Sequence, residues 1–275
     1  MSAHFATGGT DLAVRRVRHA PKLRLARVAR VAPLTPYLIR VTLTGDDLRA
    51  FVSASFDDHI KVFFPEDGAV HPVMPTLGPD GPVGVPGAAR PTMRDFTPRR
   101  FDAETGELDI EFALHEAGPA TSWAAQAAVG QYLGIGGPRG SLIIPTAFDW
   151  HLLIGDDTAL PAIARRLEEL PSETRAIVIA EVANRDAHIE FQSRADTRII
   201  WAHRADGNDA RLLAAVESLP ALPRGPGFVW AAAEAAIVRQ VRAHVITERG
   251  VDKSRVRAAA YWKRGVQAIH EVIED

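Results

Sequence analysis

No cysteine occurs in the 275 residues, which excludes disulfides, thiolate-held iron–sulfur clusters and cysteine-ligated zinc. Any redox chemistry therefore falls to a bound organic cofactor or to a metal that arrives with the substrate. Net charge is also lacking. With 32 Lys and Arg against 34 Asp and Glu, the formal charge is −2, so no nucleic-acid partner is expected. No apolar run approaches the roughly 20 residues of a membrane span, and no integral membrane segment is expected. The ten histidines show no i, i+3 or i+4 pair, and neither H-E-x-x-H nor Gly-x-Ser-x-Gly is present, so no metal site and no serine hydrolase is supported. Acids are scarce at one end: Arg15, Arg16, Arg18, Lys22, Arg24, Arg27 and Arg30 face Asp11 alone. With no apolar stretch for secretion, this start reads as a solvated arm running into the first strand.

What is present fits two domains, each long enough to bury its own core. Tyr37 to Thr44 alternates Ile39, Val41 and Leu43 with Arg40, Thr42 and Thr44, and Leu108 to Leu114 repeats the pattern. Period-two alternation predicts half-buried antiparallel strands, here closing a small β-barrel. The Pro- and Gly-rich stretch between Phe64 and Met93 predicts a long excursion without a strand. Beyond Pro145 the pattern changes to short apolar runs at His151–Ile154, Ile177–Ala180, Ile199–Ala202 and Phe228–Ala231. Helical spacings lie between several of them, with Leu160, Ile163, Ala164, Leu167 and Leu170 on one face and Ile237, Val241 and Val245 on another. Buried strands alternating with amphipathic helices predict a parallel sheet covered on both sides. The expected division is therefore 1–145, an antiparallel β-barrel, and 146–275, an α/β domain.

Arg94-Asp95-Phe96-Thr97-Pro98-Arg99 combines what a phosphate-bearing cofactor with a flat ring requires. Arg94 and Arg99 offer forked donors to phosphate, Phe96 a stacking face, and Thr97 a hydroxyl beside the N5 of a flavin, which makes it the catalytic candidate. Gly118 to Ala124 reads as a turn opening a short helix, so Ala120, Thr121 and Ser122 offer amides and hydroxyls to an anion, with His115 just before. An ordinary helix cap uses the same donors. Gly155, Asp156, Asp157, Thr158 and Ala159 follow one apolar strand and precede a helix, the placement of a nucleotide-phosphate turn. The two acids there fit capping or ribose contacts better than phosphate. Gly134 to Gly140 is also glycine-rich, but mis-spaced for a dinucleotide fingerprint, and reads as the turn joining the domains.

With these residues in place, the chain resembles the siderophore-interacting proteins, a branch of the ferredoxin-reductase-like flavoproteins, over nearly its whole length. The matching segments are Asp58–Pro65, Met93–Asp102, Leu114–Ala124, Gly137–Ser141, Gly155–Ile163, Trp201–Arg204, Trp230–Ala235 and Tyr261–Gly265. The resemblance implies an FAD-binding β-barrel, then an NAD(P)H-binding domain, and reduction of ferric siderophores in the cytoplasm. Arg94, Phe96 and Thr97 fall on the family's flavin motif, and Gly155 to Pro161 on its nicotinamide motif. Lys61, Arg139 and Lys263 match basic positions of the family and are the expected contacts to an anionic iron chelate.

Three positions depart from the family pattern: Phe96 for Tyr, Asp157 for Glu and Ala233 for Gly. The family favours NADPH over NADH. The reader of its 2′-phosphate is expected near Glu181 to Arg185, with His203 and Arg204 after the third strand. Other acceptors (free flavin, a quinone, a small redox protein) stay open, as does siderophore binding without nicotinamide turnover. A monomer is expected.

Overall fold

The computed structural model describes residues 12–79, 81–84, 87, 91–114, 118–204, 211–266 and 271–273. In chain order the first half holds β1 (Arg15–Arg18), β2 (Leu23–Thr35), β3 (Leu38–Thr44), β4 (Ile60–Phe63), β5 (Thr76–Gly78), β6 (Gly81–Val83), β7 (Met93–Phe96), β8 (Arg100–Asp102), β9 (Glu107–Ala113), α1 (Pro119–Ala125), β10 (Tyr132–Gly136) and β11 (Gly140–Ile143). The second half holds β12 (Trp150–Asp156), α2 (Leu160–Glu169), β13 (Arg175–Val182), β14 (Asp196–His203), α3 (Arg211–Glu217), β15 (Gly227–Glu234), α4 (Ala235–Thr247), β16 (Val256–Trp262) and β17 (Glu271–Val272).

Seven strands of the first half form one antiparallel sheet in the order β7-β4-β10-β2-β3-β9-β8. Its core is the face built by Val41, Leu43, Ile60, Val62, Leu108, Ile110 and Phe112, as the alternation predicts. The barrel is not closed. β7 and β8 are the two edges of the sheet, yet Thr97, Pro98 and Arg99 alone separate them. A link of that length spans at most about 14 Å, so the sheet curls until its edges face each other across this segment. They do not pair: in the link Pro98 has no N–H to give, and the Arg99 amide is bonded to the Asp109 carbonyl at 2.9 Å, toward β9.

Two other expectations are corrected here. The excursion after Phe64 carries a small hairpin of β5 and β6. Gly134 to Gly140 is not the turn between the domains, because Gly134 and Gly136 lie in β10, between β4 and β2. A Cβ on Gly134 would fall 2.2 Å from the Met74 sulfur, so its smallness serves packing. The basic start contributes β1, fully exposed and paired with β11.

The second sheet runs β14-β13-β12-β15-β16-β17, parallel except for β17. One face packs on α2 through Ile163 and Leu167. The other packs on α3 and α4 through Leu212, Val216, Val238, Val241 and Val245. Val238, one residue beyond the predicted Ile237, is buried in α4 together with Ala235, Val241 and Val245.

The halves dock through the loop Ser53–Asp58. Phe56 is buried in the second half's core, edge-on to Trp230 at 5.5 Å. Asp57 accepts from Trp230 Nε1 at 2.8 Å and from Arg257 Nε at 2.9 Å. From α2, Arg165 donates to Ser53 Oγ at 2.8 Å and to the Pro98 carbonyl at 2.9 Å. Asp57→Ala leaves a buried guanidinium and an indole N–H unmatched, and we expect a loss of about 3–5 kcal/mol in denaturant unfolding.

His151 is fully buried beside Phe148 and Arg166. Burial, then the Arg166 charge, pushes its imidazole down to about 3. The folded pKa lies below the unfolded one, so the unfolded chain takes up the proton first. The stability is complete above roughly pH 6.5 and is lost as pH falls toward 3. Unfolding curves between pH 6.5 and 5 should show about 2 kcal/mol of loss that His151→Leu lacks.

Candidate active site

A cavity of about 980 Å³ opens between the two halves. On one side it is lined by the end of β7 and by β9, that is Arg94, Phe96, Thr97 and Phe112. Gly118 to Thr121, at the start of α1, completes that wall. Phe96 and Phe112 form an aromatic corner with centroids 4.5 Å apart. Arg94 donates to its neighbour's carbonyl, Met93 O, at 2.8 Å. No carboxylate among the described residues pairs with it, because Asp95 is held by Lys61 Nζ at 2.9 Å. The wall therefore keeps a forked cation facing the cavity beside an apolar aromatic corner.

The opposite side is the carboxyl edge of the parallel sheet, where doubly wound folds bind ligands. Asp156 ends β12 and caps the turn that follows, accepting from the Thr158 amide at 3.0 Å and from Trp262 Nε1 at 2.7 Å. Burial first, and the Asp157 charge second, raise its carboxyl above the usual range. Asp157 meets Arg204 Nη1 at 3.4 Å, and Arg204 Nε also reaches Glu181 at 3.2 Å. The buried Tyr261 hydroxyl lies against the Thr97 side chain, which links the second sheet to the flavin motif.

The predicted residues thus divide. Arg94, Phe96, Thr97, Ala120, Thr121, Asp156, Asp157, Thr158, Arg204 and Lys263 all line the one cavity. Arg99 does not: it is buried and its guanidinium is bound by Glu168 and Glu111. Ser122 is exposed, on the outer side of α1. Gly155 and Ala159 are buried beneath the turn. Of the basic trio, Lys61 is tied to Asp95, and Arg139 is exposed at the edge where its carbonyl accepts from the His19 amide. His115 lies outside the described residues. The Ala233 methyl packs into the core shared with α4, although its residue also borders the cavity. Motif reading gave no role to Phe112, Tyr261 and Trp262; the alternation of β9 and the matched Tyr261–Gly265 segment were the available signals.

An antiparallel sheet joined to a parallel-sheet unit, with an aromatic, cationic wall facing a nucleotide-type edge, is the architecture also seen in a ferredoxin reductase of known structure (TM-score 0.61, 16% identity). Residues 27–142 match the siderophore-interacting FAD-binding domain and residues 148–265 the siderophore-interacting protein domain. The chain belongs to the siderophore-interacting protein family.

Similar proteins include the NADPH-dependent ferric-chelate reductase of Escherichia coli, 38% identical, with 90% of this chain and 95% of that protein covered. The ferric vibriobactin reductase of Vibrio cholerae is 34% identical over 90% of this chain and 93% of its own length. The crystal structure of a siderophore utilization protein from T. fusca superposes with a TM-score of 0.86 at 36% identity, covering 94% of this chain and 98% of that one.

A Cβ on Gly155 would stand 2.3 Å from Ala159 Cβ and 2.9 Å from the Ala232 carbonyl. Gly155→Ala should therefore push the turn off the sheet. We expect roughly 1–3 kcal/mol of lost stability in thermal unfolding and weaker nicotinamide nucleotide binding by calorimetry.

Proposed function

We propose that the protein is a flavin-dependent ferric-siderophore reductase that draws electrons from NADPH and releases ferrous iron. The observation that carries this reading is the single cavity shared by the Arg94–Thr97 wall and the Asp156–Thr158 turn. The donor set fits FAD: a cation without a carboxylate partner among the described residues, an aromatic corner and a hydroxyl converge on one wall. When bound, FAD accepts hydride from a nicotinamide and passes electrons on singly. In this reading residues 1–145 hold the flavin and 146–275 the nicotinamide, in a cytoplasmic monomer.

The residues then have distinct tasks. Arg94 neutralises phosphate, and Ala120 and Thr121 offer donors beside it. Phe96 and Phe112 form an apolar aromatic corner that excludes water. Thr97 would offer its hydroxyl to the reactive edge of a bound flavin, and Tyr261 keeps that side chain in place from across the junction. Asp156 fixes the turn on which Thr158 and the neighbouring amides meet the nicotinamide nucleotide, while Arg204 neutralises Asp157.

Lys263, open at the cavity rim, attracts the anionic chelate. Ferric iron in an all-oxygen cage is a hard cation on hard ligands, and reduction weakens that grip. Relatives named ferric-chelate and ferric vibriobactin reductases support the substrate class.

The test is anaerobic stopped-flow absorbance of the FAD-loaded protein. NADPH should bleach the flavin band, and a ferric siderophore should restore it while ferrous iron is trapped by a coloured chelator. A flavin that NADPH leaves oxidised would overturn the reading. Thr97→Ala should keep FAD bound and slow bleaching by about tenfold, the cost of one hydrogen bond in the rate-determining geometry.

A further inference from the structure

In nicotinamide sites on doubly wound sheets, the acid that ends the second strand commonly takes the adenosine ribose diol. Glu181 stands one residue before the end of β13, and both of its oxygens are already engaged. Its Oε2 accepts from the Leu212 amide at 2.8 Å and its Oε1 from Arg204 at 3.2 Å. It is also buried, and burial raises its pKa although the Leu212 amide and Arg204 draw it back. A diol would have to compete with a helix amide and a guanidinium for these oxygens.

Next to this edge stands a column of four rings. Phe191 stacks on Trp201 (5.7 Å, 12°), Trp201 on His188 (4.2 Å, 13°) and His188 on His203 (5.1 Å, 21°). His203 closes β14 and precedes Arg204, which lines the cavity. His188 follows the short turn Arg185–Ala187 that leaves β13. The stacking holds the two imidazoles so that their Nε2 atoms converge at 2.8 Å. At that separation one Nε2 donates and the other accepts, so the pair carries at most one positive charge while the contact lasts.

An anion placed against both nitrogens changes this balance. It accepts from two N–H groups and stabilises the second proton. The exposed Arg185 adds a permanent cation, and no carboxylate among the described residues is paired with it. The ionisable groups of the elements that meet here are Arg185 and Asp186 on the turn, Glu190 after it, and His203 and Arg204 on β14. Burial lowers the His188 pKa, and His203 and Arg185 lower it further, so a ligand must supply the negative charge that recruits the proton.

We propose that His188, His203 and Arg185 form the subsite for the phosphate monoester on the adenosine ribose of NADPH. This rests on the nicotinamide reading above and adds the residues that choose between the two nicotinamide nucleotides. An extended dinucleotide running along the carboxyl edge, from the Asp156 turn past Arg204, ends at this pair. The proton-sharing contact makes the preference for the phosphorylated nucleotide pH-dependent, stronger on the acid side.

The experiment is calorimetric titration of the FAD-loaded protein with adenosine 2′,5′-bisphosphate and, in parallel, with 5′-ADP. The wild type should prefer the 2′-phosphorylated probe by about tenfold or more. That preference should grow from about pH 8 to about pH 6. His188→Gln/His203→Gln should reduce it to about twofold or less while leaving 5′-ADP affinity in place. Arg185→Gln, at an exposed position that does not touch the core, should lower it without changing the thermal unfolding curve.

Retention of full preference in the double variant would overturn the assignment, as would absence of preference in the wild type. Flavin bleaching by NADPH separates the two levels. If bleaching persists, only this subsite falls; if NADPH neither binds nor bleaches, the nicotinamide reading falls with it.

Discussion

The site depends on a carboxylate buried between the two halves. Asp57, 5% exposed, receives the Trp230 indole and the Arg257 guanidinium. Beside it Phe56 is inserted into the second core under Arg166, 4.8 Å from guanidinium to ring. A buried charge with two donors tolerates little displacement, because any shift leaves it uncompensated in a poorly polarisable interior. The loop Ser53–Asp58 therefore fixes the angle between the sheets, and with it the width of the cavity. Arg165 and Arg166 on α2 repeat the device, donating to Ser53, Pro98, Ile144 and Pro145.

The same docking sorts the charges around the cavity. Lys61 and Arg99 are neutralised by Asp95 and Glu168, while Arg94, next to Asp95 on β7, keeps a carbonyl as partner. The acids at the carboxyl edge of the parallel sheet are likewise engaged: Asp156 by Trp262 and Thr158, Asp157 and Glu181 by Arg204. What the cavity offers a ligand is thus cationic and aromatic on the side of β7 and saturated on the other. That balance suits a phosphate-rich cofactor pair and an anionic chelate.

Much of the fold was legible because strand and helix periods are local. Alternation in Tyr37 to Thr44 and Leu108 to Leu114 became the strands Leu38–Thr44 and Glu107–Ala113, with Val41, Leu43, Ile110 and Phe112 in one core, and the apolar runs after Pro145 became β12 to β15. The open seam was not legible. It arises because β7 and β8 reach opposite edges of a sheet whose strand order is not the chain order. Gly134 and Gly155 resembled phosphate-loop glycines, yet each is small because a neighbour, Met74 or Ala159, occupies the space of its side chain.

The sequence alone determined the kinds of element, the two-part organisation of the pattern, and the clustering of Arg94, Phe96 and Thr97 within four residues. Such features follow from spacing along the chain, which backbone geometry converts directly into faces and turns. Only the tertiary structure decided which cations remain available to a ligand. Arg99 is lost to a glutamate 69 positions away and Lys61 to an aspartate 34 positions away. It also brought Tyr261 to Thr97 and His203 to His188. Charge pairing and ring stacking act over a few ångströms in space, and nothing in the local pattern reports which distant side chain the fold will bring that near.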